Sequence, residues 1–446
     1  MKKSLIALAA FAAVASAQAD VTIYGNLDPS VIVNKMQTTA DSKTMPGGTS
    51  TSYATSSAQD KSSQLGFKGS EALGGGMKVI FDLQGDLTLG NGFMGNGNSG
   101  NSTVAAQNTG GNIAATANTL ASPTADVFNR NAYVGLETSS GTLKIGRQFT
   151  PFHENQVNND AYSSNSGGYL AAMSQLTTAG EFGINTKSNI SNFGNSNTGV
   201  NTYGAYANGI SFELPAMNGL TLKAFNTFGS NTGVKTTAAG QNLSFQAGGI
   251  TSVKAVWEVT PAMKLNAAYQ VTRAGQAPVP TVGGADPYSD AVYGVANGTT
   301  TSGTAPALSA VTPGTQVIAT SQFGGQYTVG QFRFTIGQGR INQAIAGFDS
   351  VTVTSGGLLY SYSPTLDLGV EYTAVKDTTV TTNTANIMSA TARYKLSKST
   401  YFWALYGTTS NAGNAVMNSN YSGVGTTSAT GGTTNSSVSS GLSYSF

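Results

Sequence analysis

The chain has one histidine and no cysteine, so two of the side chains most often used in catalysis and metal binding are scarce or absent. Histidine is the side chain best suited to act as a general base or to bind a metal near neutral pH. The histidine lies in the sequence Pro151-Phe152-His153-Glu154. A hydrolase would also need a nucleophile or a second acidic group beside it, and this segment has no such signature. The sequence favours a polar loop residue at His153 and predicts no enzymatic activity, no metal and no cofactor.

The run Gly74-Gly75-Gly76 is the other motif with chemical potential. Glycine-rich loops cradle phosphate groups when Gly-Lys-Ser or Gly-Lys-Thr and a helix follow them. Neither follows here, so the glycines predict a tight turn.

The beginning of the chain has the three parts of a secretory signal. Two lysines precede an apolar run over 5–14, and Ala17-Gln18-Ala19 just before Asp20 has the Ala-x-Ala pattern of a cleavage site. We expect residues 1–19 to be a cleaved signal peptide and residues 20–446 to form a single barrel domain. The apolar run is shorter than the roughly 20 residues of a membrane-spanning helix, and no later segment has such a run. Any membrane crossing is therefore expected to use strands.

Apolar residues recur at every second position over many short stretches of the chain. In one of them Leu366, Leu368, Val370 and Tyr372 alternate with polar residues, the pattern of a strand with two different faces. The last such stretch ends on the aromatic residue Phe446. Strands cross a bilayer only as a closed barrel, because an open edge would leave unpaired N–H and C=O groups in lipid. The pattern predicts an all-β, antiparallel transmembrane barrel.

Sixteen stretches of this kind are present, and an even number is expected for a single-chain barrel. The predicted strands are 21–33, 63–73, 76–88, 127–138, 142–149, 200–214, 218–228, 248–259, 261–273, 321–330, 331–341, 350–363, 365–376, 385–396, 399–410 and 436–446. Short turns connect them at one end, which we expect to face the periplasm. Long segments rich in Ser, Thr, Asn and Gly connect them at the other end. These predicted external segments are 34–62, 89–126, 150–199, 274–320 and 411–435.

The composition is low in charge, with 9% charged residues and 56 glycines. Once the two signal lysines are removed, acidic and basic residues are equal in number, which argues against a nucleic-acid partner. The same composition suits a water-filled barrel with long loops and equally a secreted β-solenoid. Composition alone does not separate these two.

Five segments along the chain form an ordered set of landmarks. They are VTIYG (21–25), SQLGFKGSE (63–71), NRNAYVGL (129–136), GTLKIGRQ (141–148) and GLSYSF (441–446). Their order and spacing resemble the Gram-negative general-diffusion porins, in particular the β-proteobacterial branch. The resemblance implies a sixteen-stranded homotrimer in the outer membrane, with a third external loop folded into the barrel. It implies a passive, water-filled channel for ions and small hydrophilic solutes.

In this family the third loop follows the Gly-Arg-Gln strand, which places it in 150–199 here. Residues 180–183 (GEFG) are similar to the tip of that loop, whose carboxylate faces arginines across the pore. The resemblance nominates as constriction residues Arg130, Glu181, Gln64 and Lys68. Gln64 stands where the family usually has an arginine, and Thr177 stands where it often has a second acid. The implied constriction is less charged than the family pattern.

Strand parity assigns further charged side chains to the inside of the predicted barrel. The candidates for pore lining are Asp28, Lys78, Asp82, Lys144, Arg333, Glu371, Arg393 and Lys395, together with Lys68. Arg147 shares the outer face with Ile145, where a lone charge in lipid costs about 2–4 kcal/mol at the midplane. Because the first strands form the subunit contact in the family, the resemblance implies that Arg147 lies at a subunit interface. Arg130 also has outer parity, whereas the resemblance points it into the pore.

Two other functions are compatible with the sequence. A substrate-selective channel would have a saturable binding site in the 150–199 segment. A surface adhesin would use the barrel as an anchor for the long segments 89–126 and 274–320. For the leading interpretation the expected partners are outer-membrane lipid, two further copies of the chain and small hydrophilic solutes. The sequence leaves the ion preference and the pore radius open.

Overall fold

Nineteen antiparallel strand segments form one closed sheet in the described part of the chain. The structure is a computed structural model that describes residues 20–38, 48–90, 92–94, 127–178, 206–227, 250–273, 317–343, 350–378, 381–413, 415, 417–418 and 432–446. The strands are β1 (Asp20–Leu27), β2 (Ser30–Thr38), β3 (Gly48–Ser56), β4 (Gln64–Gly74), β5 (Met77–Thr88), β6 (Phe93–Met94), β7 (Asn131–Thr138), β8 (Gly141–Phe149), β9 (Tyr206–Glu213), β10 (Leu220–Asn226), β11 (Ile250–Thr260), β12 (Met263–Arg273), β13 (Val317–Val329), β14 (Phe332–Gln343), β15 (Val351–Ser363), β16 (Leu366–Asp377), β17 (Thr384–Lys395), β18 (Thr400–Ala412) and β19 (Thr434–Ser445).

The described helices are short and lie between β8 and β9. They are α1 (Pro151–Gln156), a 3-10 turn (Val157–Asn159) and α2 (Tyr169–Thr178). Neither α1 nor α2 is long and apolar enough to cross a membrane, and the described residues contain no other helix that is.

The segments make up sixteen wall strands. β1 and β2 are two parts of one wall strand, because both pair with β19 on either side of an interruption at Asp28 and Pro29. β3 and β4 are likewise two parts of the next wall strand, separated by residues 57–63, while β6 pairs only with the end of β5. Closure runs through the pairs Asn26–Ser445 and Val33–Val438. The predicted closed barrel of sixteen antiparallel strands is confirmed.

The prediction that 34–62 is one external segment is wrong. Residues 30–38 continue the first wall strand, and β3 (Gly48–Ser56) pairs with them along its length. The sequence of β3, GTSTSYATS, has no alternation of apolar and polar residues. Its hydroxyl side chains give a periodicity search nothing to detect, although Thr and Tyr suit a strand well.

The two faces of the wall have opposite character. On β16, Val370 and Tyr372 are 52% and 46% exposed, whereas Glu371 between them is 4% exposed. A soluble protein shows the reverse pattern, so the apolar face is suited to lipid and the polar face to the interior. Aromatic rings gather on the outer face near the short turns, where Phe332 and Tyr360 stack with centroids 4.6 Å apart. Such rings are typical of the membrane–water boundary.

The closing seam yields a testable consequence at Gly25. An added Cβ there would lie 2.5 Å from the carbonyl oxygen of Gln64 and 2.7 Å from the ring of Phe446. Gly25→Val should therefore push β1 away from both neighbours and lower the temperature at which the folded barrel is lost on gels of unheated samples. Gly356→Val is the matched control, because nothing lies within 4 Å of a Cβ at Gly356. Equal unfolding temperatures for the two variants would contradict the tight packing at this seam.

Candidate pore interior

Residues 150–178 follow β8 and form hydrogen bonds with one wall strand after another. The helix α1 begins after Thr150, whose hydroxyl accepts a hydrogen bond from the His153 N–H at 3.4 Å, and Pro151 occupies the first turn. From there the contacts run across β10, β11, β12, β13, β16 and β17 and end at residues 57–63. Because these contacts go to inward-facing residues around much of the wall, the segment lies inside the barrel.

An ion triad joins α1 to the wall. The two carboxylate oxygens of Glu154 each lie 2.6 Å from a lysine Nζ, one from Lys223 and one from Lys254. The lysines are direct cross-strand neighbours on β10 and β11, where two like charges would repel each other. Although burial alone would raise the pKa of the Glu154 carboxyl, the two ammonium groups hold it below its ordinary value. The carboxylate and both lysines are therefore committed to anchoring the segment.

Glycines in the wall let the 3-10 turn approach closely. Gly324 on β13 and Gly337 on β14 are cross-strand partners. A Cβ on Gly324 would overlap the side-chain oxygen of Asn159, and one on Gly337 would lie 2.6 Å from the Asn159 Cβ. The Asn159 amide donates to the Gln322 side chain at 3.2 Å, and the Ser355 hydroxyl donates to the Asn159 carbonyl at 3.2 Å. The turn is thus fixed against three adjacent strands.

Asp160 organises the chain between the 3-10 turn and α2. Its carboxylate accepts hydrogen bonds from the backbone N–H groups of Ser163 at 2.6 Å and of Leu170 at 3.0 Å. Leu170 lies in the first turn of α2, where a negative charge is favoured by the unpaired N–H groups of the helix end. Burial raises the pKa of the Asp160 carboxyl above its ordinary value. Asp160 therefore acts as a backbone acceptor and presents little charge to solvent.

Glu371 on β16 performs the same task from the wall. It accepts hydrogen bonds from the N–H groups of Ala161 at 2.8 Å and Tyr169 at 2.7 Å. Arg333 on β14 donates to the Ala161 carbonyl at 2.6 Å. Two of the predicted pore-lining residues, Glu371 and Arg333, thus bind the backbone of the internal segment.

The helix α2 packs its apolar side on the wall near the end with the long connections. Inward-facing positions of β14 to β17 are apolar there, in contrast to the polar inward positions further along the same strands. The buried cluster contains Phe152, Tyr169, Ala172, Met173, Leu176, Ala268, Ile341, Val351, Val353, Val375, Ala385, Ile387, Ala415 and Met417. Burial of this cluster supplies the apolar stabilisation of the segment.

The interruption at residues 57–63 meets the far end of the segment. Asp60 is completely buried and lies 2.5 Å from an Arg393 guanidinium nitrogen, and the Tyr401 hydroxyl donates to it at 2.8 Å. The Asn165 N–H donates to the Asp60 carbonyl oxygen at 3.0 Å. Arg393, another predicted pore-lining charge, is therefore paired.

Asp28 holds the two interrupted wall strands together. Its carboxylate accepts hydrogen bonds from the Lys61 N–H at 2.7 Å and from the Trp403 indole at 2.6 Å. Asp28 itself is completely buried. It satisfies backbone groups that the interrupted ladder leaves without a strand partner.

The wall of β1, β4, β5, β7 and β8 faces the anchored segment across the interior. Here the Tyr24 hydroxyl donates to Asp82 at 2.6 Å. The Nζ atoms of Lys68 and Lys144 each lie 4.7 Å from a ring centroid, that of Tyr24 and that of Tyr133 respectively. The register Thr22–Lys68–Asp82–Tyr133 places these side chains side by side on the inner face. On this stretch of wall Lys68 is exposed and Lys144 is half-buried. Neither lysine binds the described residues of the internal segment, in contrast to Lys223 and Lys254.

Arg130 immediately precedes β7, so the pleat of the strand does not fix its direction. Its guanidinium lies 2.7 Å from an Asp86 carboxylate oxygen and 3.3 Å from the Gln84 side-chain oxygen. It also packs over the rings of Phe149 and Tyr206, at 5.3 and 5.2 Å. Gln84 and Asp86 belong to the inward face of β5, so Arg130 turns inward despite its outer parity.

Arg147 is cross-strand to Ala132 on the outer face of the wall. Its Nε donates to the Asn129 carbonyl at 2.7 Å, and its guanidinium carbon lies 5.7 Å from the Tyr206 ring centroid. Both contacts are made within the same chain, and they stabilise the positive charge of Arg147. Its role at a subunit interface stays a prediction.

Two of the remaining predicted residues, Lys78 and Lys395, lie away from Arg130 and Lys68. Lys78 lies 3.9 Å from Glu137, and Lys395 lies 2.7 Å from Asp367, both near the short turns. Gln64 stands between Asn26 and Asp86 on the inner face.

Glu181 lies outside the described residues, as does the side chain of Thr177. Their predicted place at the constriction stays a prediction. Five charged residues that bind the segment or the wall were not predicted from the sequence, namely Glu154, Asp160, Asp60, Lys223 and Lys254. Strand parity offered a signal for the two lysines, whereas the acidic residues lie in non-strand segments that have no periodicity.

The His153 ring stacks on Phe149, with ring centroids 5.0 Å apart and planes 6° from parallel. Burial, with a smaller contribution from nearby Arg130, lowers the pKa of His153 to about 4. The described residues contain no group of three or more His, Cys, Asp or Glu side chains that could hold a metal ion. His153 is thus a neutral packing residue near neutral pH.

A closed sixteen-stranded barrel with an apolar outer face and a polar interior defines an outer-membrane β-barrel. The chain belongs to the Gram-negative porin family, whose sequence model matches residues 4–414. Membership in this family of channels confirms the predicted outer-membrane location and the predicted non-enzymatic class.

Curated relatives align over part of their length. The chain is 30% identical to the major outer membrane protein P.IB of Neisseria gonorrhoeae over 164 residues, which is 37% of each chain. It is 30% identical to outer membrane porin protein 32 of Delftia acidovorans over 166 residues, 37% of this chain and 36% of that one. The chain thus spans little more than a third of the length of these relatives.

Solved structures share the fold over nearly the whole chain. The anion-selective porin from Comamonas acidovorans superposes with a TM-score of 0.63 at 16% identity, over 96% of this chain and all of that one. OmpT of Vibrio cholerae, in its trimer form, superposes with a TM-score of 0.54 at 12% identity, over 96% and 99% of the two chains. At these identities the likeness extends to the fold.

The lowered pKa of His153 can be measured by nuclear magnetic resonance, because the chain has only one histidine and its signal needs no assignment. We expect its imidazole to titrate in the refolded barrel with a midpoint of about 4. An unfolded chain would take up this proton near pH 6.5, so the folded barrel should lose stability as the pH falls between these two values. A midpoint near 6.5 in the folded protein would show that the ring is open to water.

Proposed function

We propose that the chain forms a passive, water-filled channel for ions and small hydrophilic solutes, and that residues 150–178 narrow it. The observation that carries this proposal is the continuous set of hydrogen bonds between that segment and the inner wall, from Lys223 to residues 57–63. A segment so anchored reduces the cross-section while leaving water and polar side chains along the passage. Such a passage favours hydrated solutes over apolar ones.

The constriction lies between the segment and the wall of β1, β4, β5, β7 and β8. We assign Lys68, Gln64 and Arg130 to the wall side of this constriction. Glu181 is our proposed acidic counterpart from the part of the loop beyond α2. Lys144 and Asp82 line the same wall and define the local charge.

We further propose that the passage favours small anions. The Glu154 carboxylate is paired with two lysines, and the Asp160 carboxyl is buried and bound by backbone N–H groups, so neither presents an unpaired negative charge to the passage. On the facing wall Lys68 and Lys144 remain accessible, while Asp82 accepts hydrogen bonds from Tyr24 and Asn131. Unpaired positive charge in a narrow passage raises the local anion concentration. The anion-selective Comamonas porin shares this fold.

We propose that the channel assembles as a homotrimer through the outer faces of the first strands. Val21, Ile23, Val31 and Val134 are each more than half exposed there, and apolar patches of this kind are suited to subunit contact. The trimer form of Vibrio cholerae OmpT supports this assembly by its shared fold. Arg147 lies on the same face, and we assign it to the contact.

Single-channel recording tests the channel and its assembly together. The refolded protein in a planar bilayer should give large conductance steps that rise almost linearly with salt concentration and close in three equal levels. Steps that saturate with a particular solute would instead indicate a substrate-selective channel. An absence of steps from correctly folded protein would favour a barrel that serves only as an anchor.

The unit conductance of two matched variants tests whether residues 150–178 narrow the channel. Gly337→Val should push Asn159 away from the wall and into the passage, so the unit conductance should fall. Gly356→Val on the neighbouring strand should leave it unchanged, because a Cβ at that position meets nothing within 4 Å.

Lys68→Gln tests the proposed ion preference. Removal of this charge should lower the anion-to-cation permeability ratio about two- to fivefold, since one charge acting through water contributes about 1 kcal/mol or less. The ratio follows from the reversal potential in a salt gradient. Lys398→Gln, in the exposed turn between β17 and β18, removes the same charge outside the passage and should not change the ratio. Equal reversal potentials for wild type and Lys68→Gln would place Lys68 outside the constriction.

A further inference from the structure

The outer face of β14, β15 and β16 changes character at one level. Ile336, Gly356 and Tyr372 are aligned across the three strands, and the exposed Ile336 and Tyr372 continue the apolar belt below them. At the next outward level stand Gln338, Thr354 and Ala374. This transition marks the boundary between the lipid acyl chains and the headgroup region.

Two basic residues lie one level further out. Arg340 and Lys376 both pair with Thr352, from its two sides. With neighbouring strands about 4.8 Å apart, their Cα atoms are about 10 Å apart, which suits two side chains that converge on one anion. Both side chains are exposed, and neither forms an ion pair with another residue in the part of the chain that the structure describes.

A depression of about 370 Å³ lies in the wall at this place. Its lining carries one ammonium group and four hydroxyl groups, so it offers donors to both phosphate and sugar oxygens. The lining residues are Thr352, Thr354, Ala374, Lys376, Thr378 and Thr381. Because even-numbered residues of β16 point outward, the depression opens to the surroundings of the barrel and is separate from the channel.

The depression also lies at the end of the barrel with the longer connections. In outer-membrane barrels this is the external end, opposite the short periplasmic turns. There β14 ends at Gln343 and β15 begins at Val351, and β16 ends at Asp377 and β17 begins at Thr384. A ligand at this site therefore meets the outer leaflet.

We propose that Arg340, Lys376 and the surrounding threonines bind the phosphorylated sugar headgroup of an outer-leaflet glycolipid. Arginine and lysine bind phosphate through charge-assisted hydrogen bonds, and the threonine hydroxyls bind the sugar. The acyl chains of the same lipid lie along Ile336, Val370 and the ring of Tyr372. The apolar strip directly below the basic pair distinguishes a lipid ligand from a free phosphate ion, which would gain nothing from it.

Native mass spectrometry of the refolded full chain in detergent tests this site, with diphosphorylated lipid A as the probe. We expect one lipid A molecule per protomer to be retained at the lowest lipid concentrations. The double variant Arg340→Gln/Lys376→Gln should weaken this binding about tenfold or more, the loss expected when a phosphate forfeits one or two charged partners. Lys398→Gln removes a positive charge at the opposite end and should bind lipid A as the wild type does.

Two comparisons identify the source of the phosphate. Dephosphorylated lipid A should lose the advantage of wild type over the double variant, and millimolar inorganic phosphate should displace little lipid A. Equal lipid A binding by wild type and the double variant would overturn the proposal. Full displacement by inorganic phosphate would also overturn it in favour of a soluble anion site. Single-channel conductance of the double variant should match wild type, so failure of this site and failure of the channel are distinguishable.

Discussion

A strand ladder in lipid has to close, because the hydrocarbon offers no partner to an unpaired N–H or C=O group. The wall meets this constraint even where it is interrupted. The breaks at Asp28–Pro29 and at 57–63 lie side by side, and the Asp28 carboxylate accepts the N–H groups of Asp60 and Lys61. The side chain thus replaces the missing strand partner. The seam between β19 and the first strands then completes the barrel.

The same rule governs the segment inside the barrel. Its turns have N–H groups with no regular partner, and Asp160 and Glu371 accept them from the segment and from the wall. A carboxylate used in this way contributes little field to the passage. Glu154 is likewise neutralised by Lys223 and Lys254. Among the described residues of the proposed constriction, the accessible lysines Lys68 and Lys144 lie on the wall of β1, β4, β5, β7 and β8, so on our proposal the anchoring of the segment also influences the ion preference.

The side chains of the single strand β16 lie in three environments, namely the barrel interior, the lipid acyl chains and the headgroup region. On β16, Glu371 faces the interior and anchors the segment, Val370 and Tyr372 face the acyl chains, and Lys376 stands at headgroup level. Successive residues point to opposite sides, so these roles are independent of one another. We therefore expect a substitution on the outer side to change lipid contacts without altering the proposed conduction, and this separation makes the proposed lipid site testable on its own.

The sequence by itself determined the barrel, because alternation such as Leu366 to Tyr372 is a local property that a strand in lipid has to show. It also determined the strand number, and it failed only where β3 has hydroxyl residues in place of apolar ones. The interior was decided by the tertiary structure. Asp60 meets Arg393 across 333 positions of the chain, and Glu154 meets Lys254 across 100. No local pattern encodes such pairs, since closure of the barrel and entry of the segment bring them together.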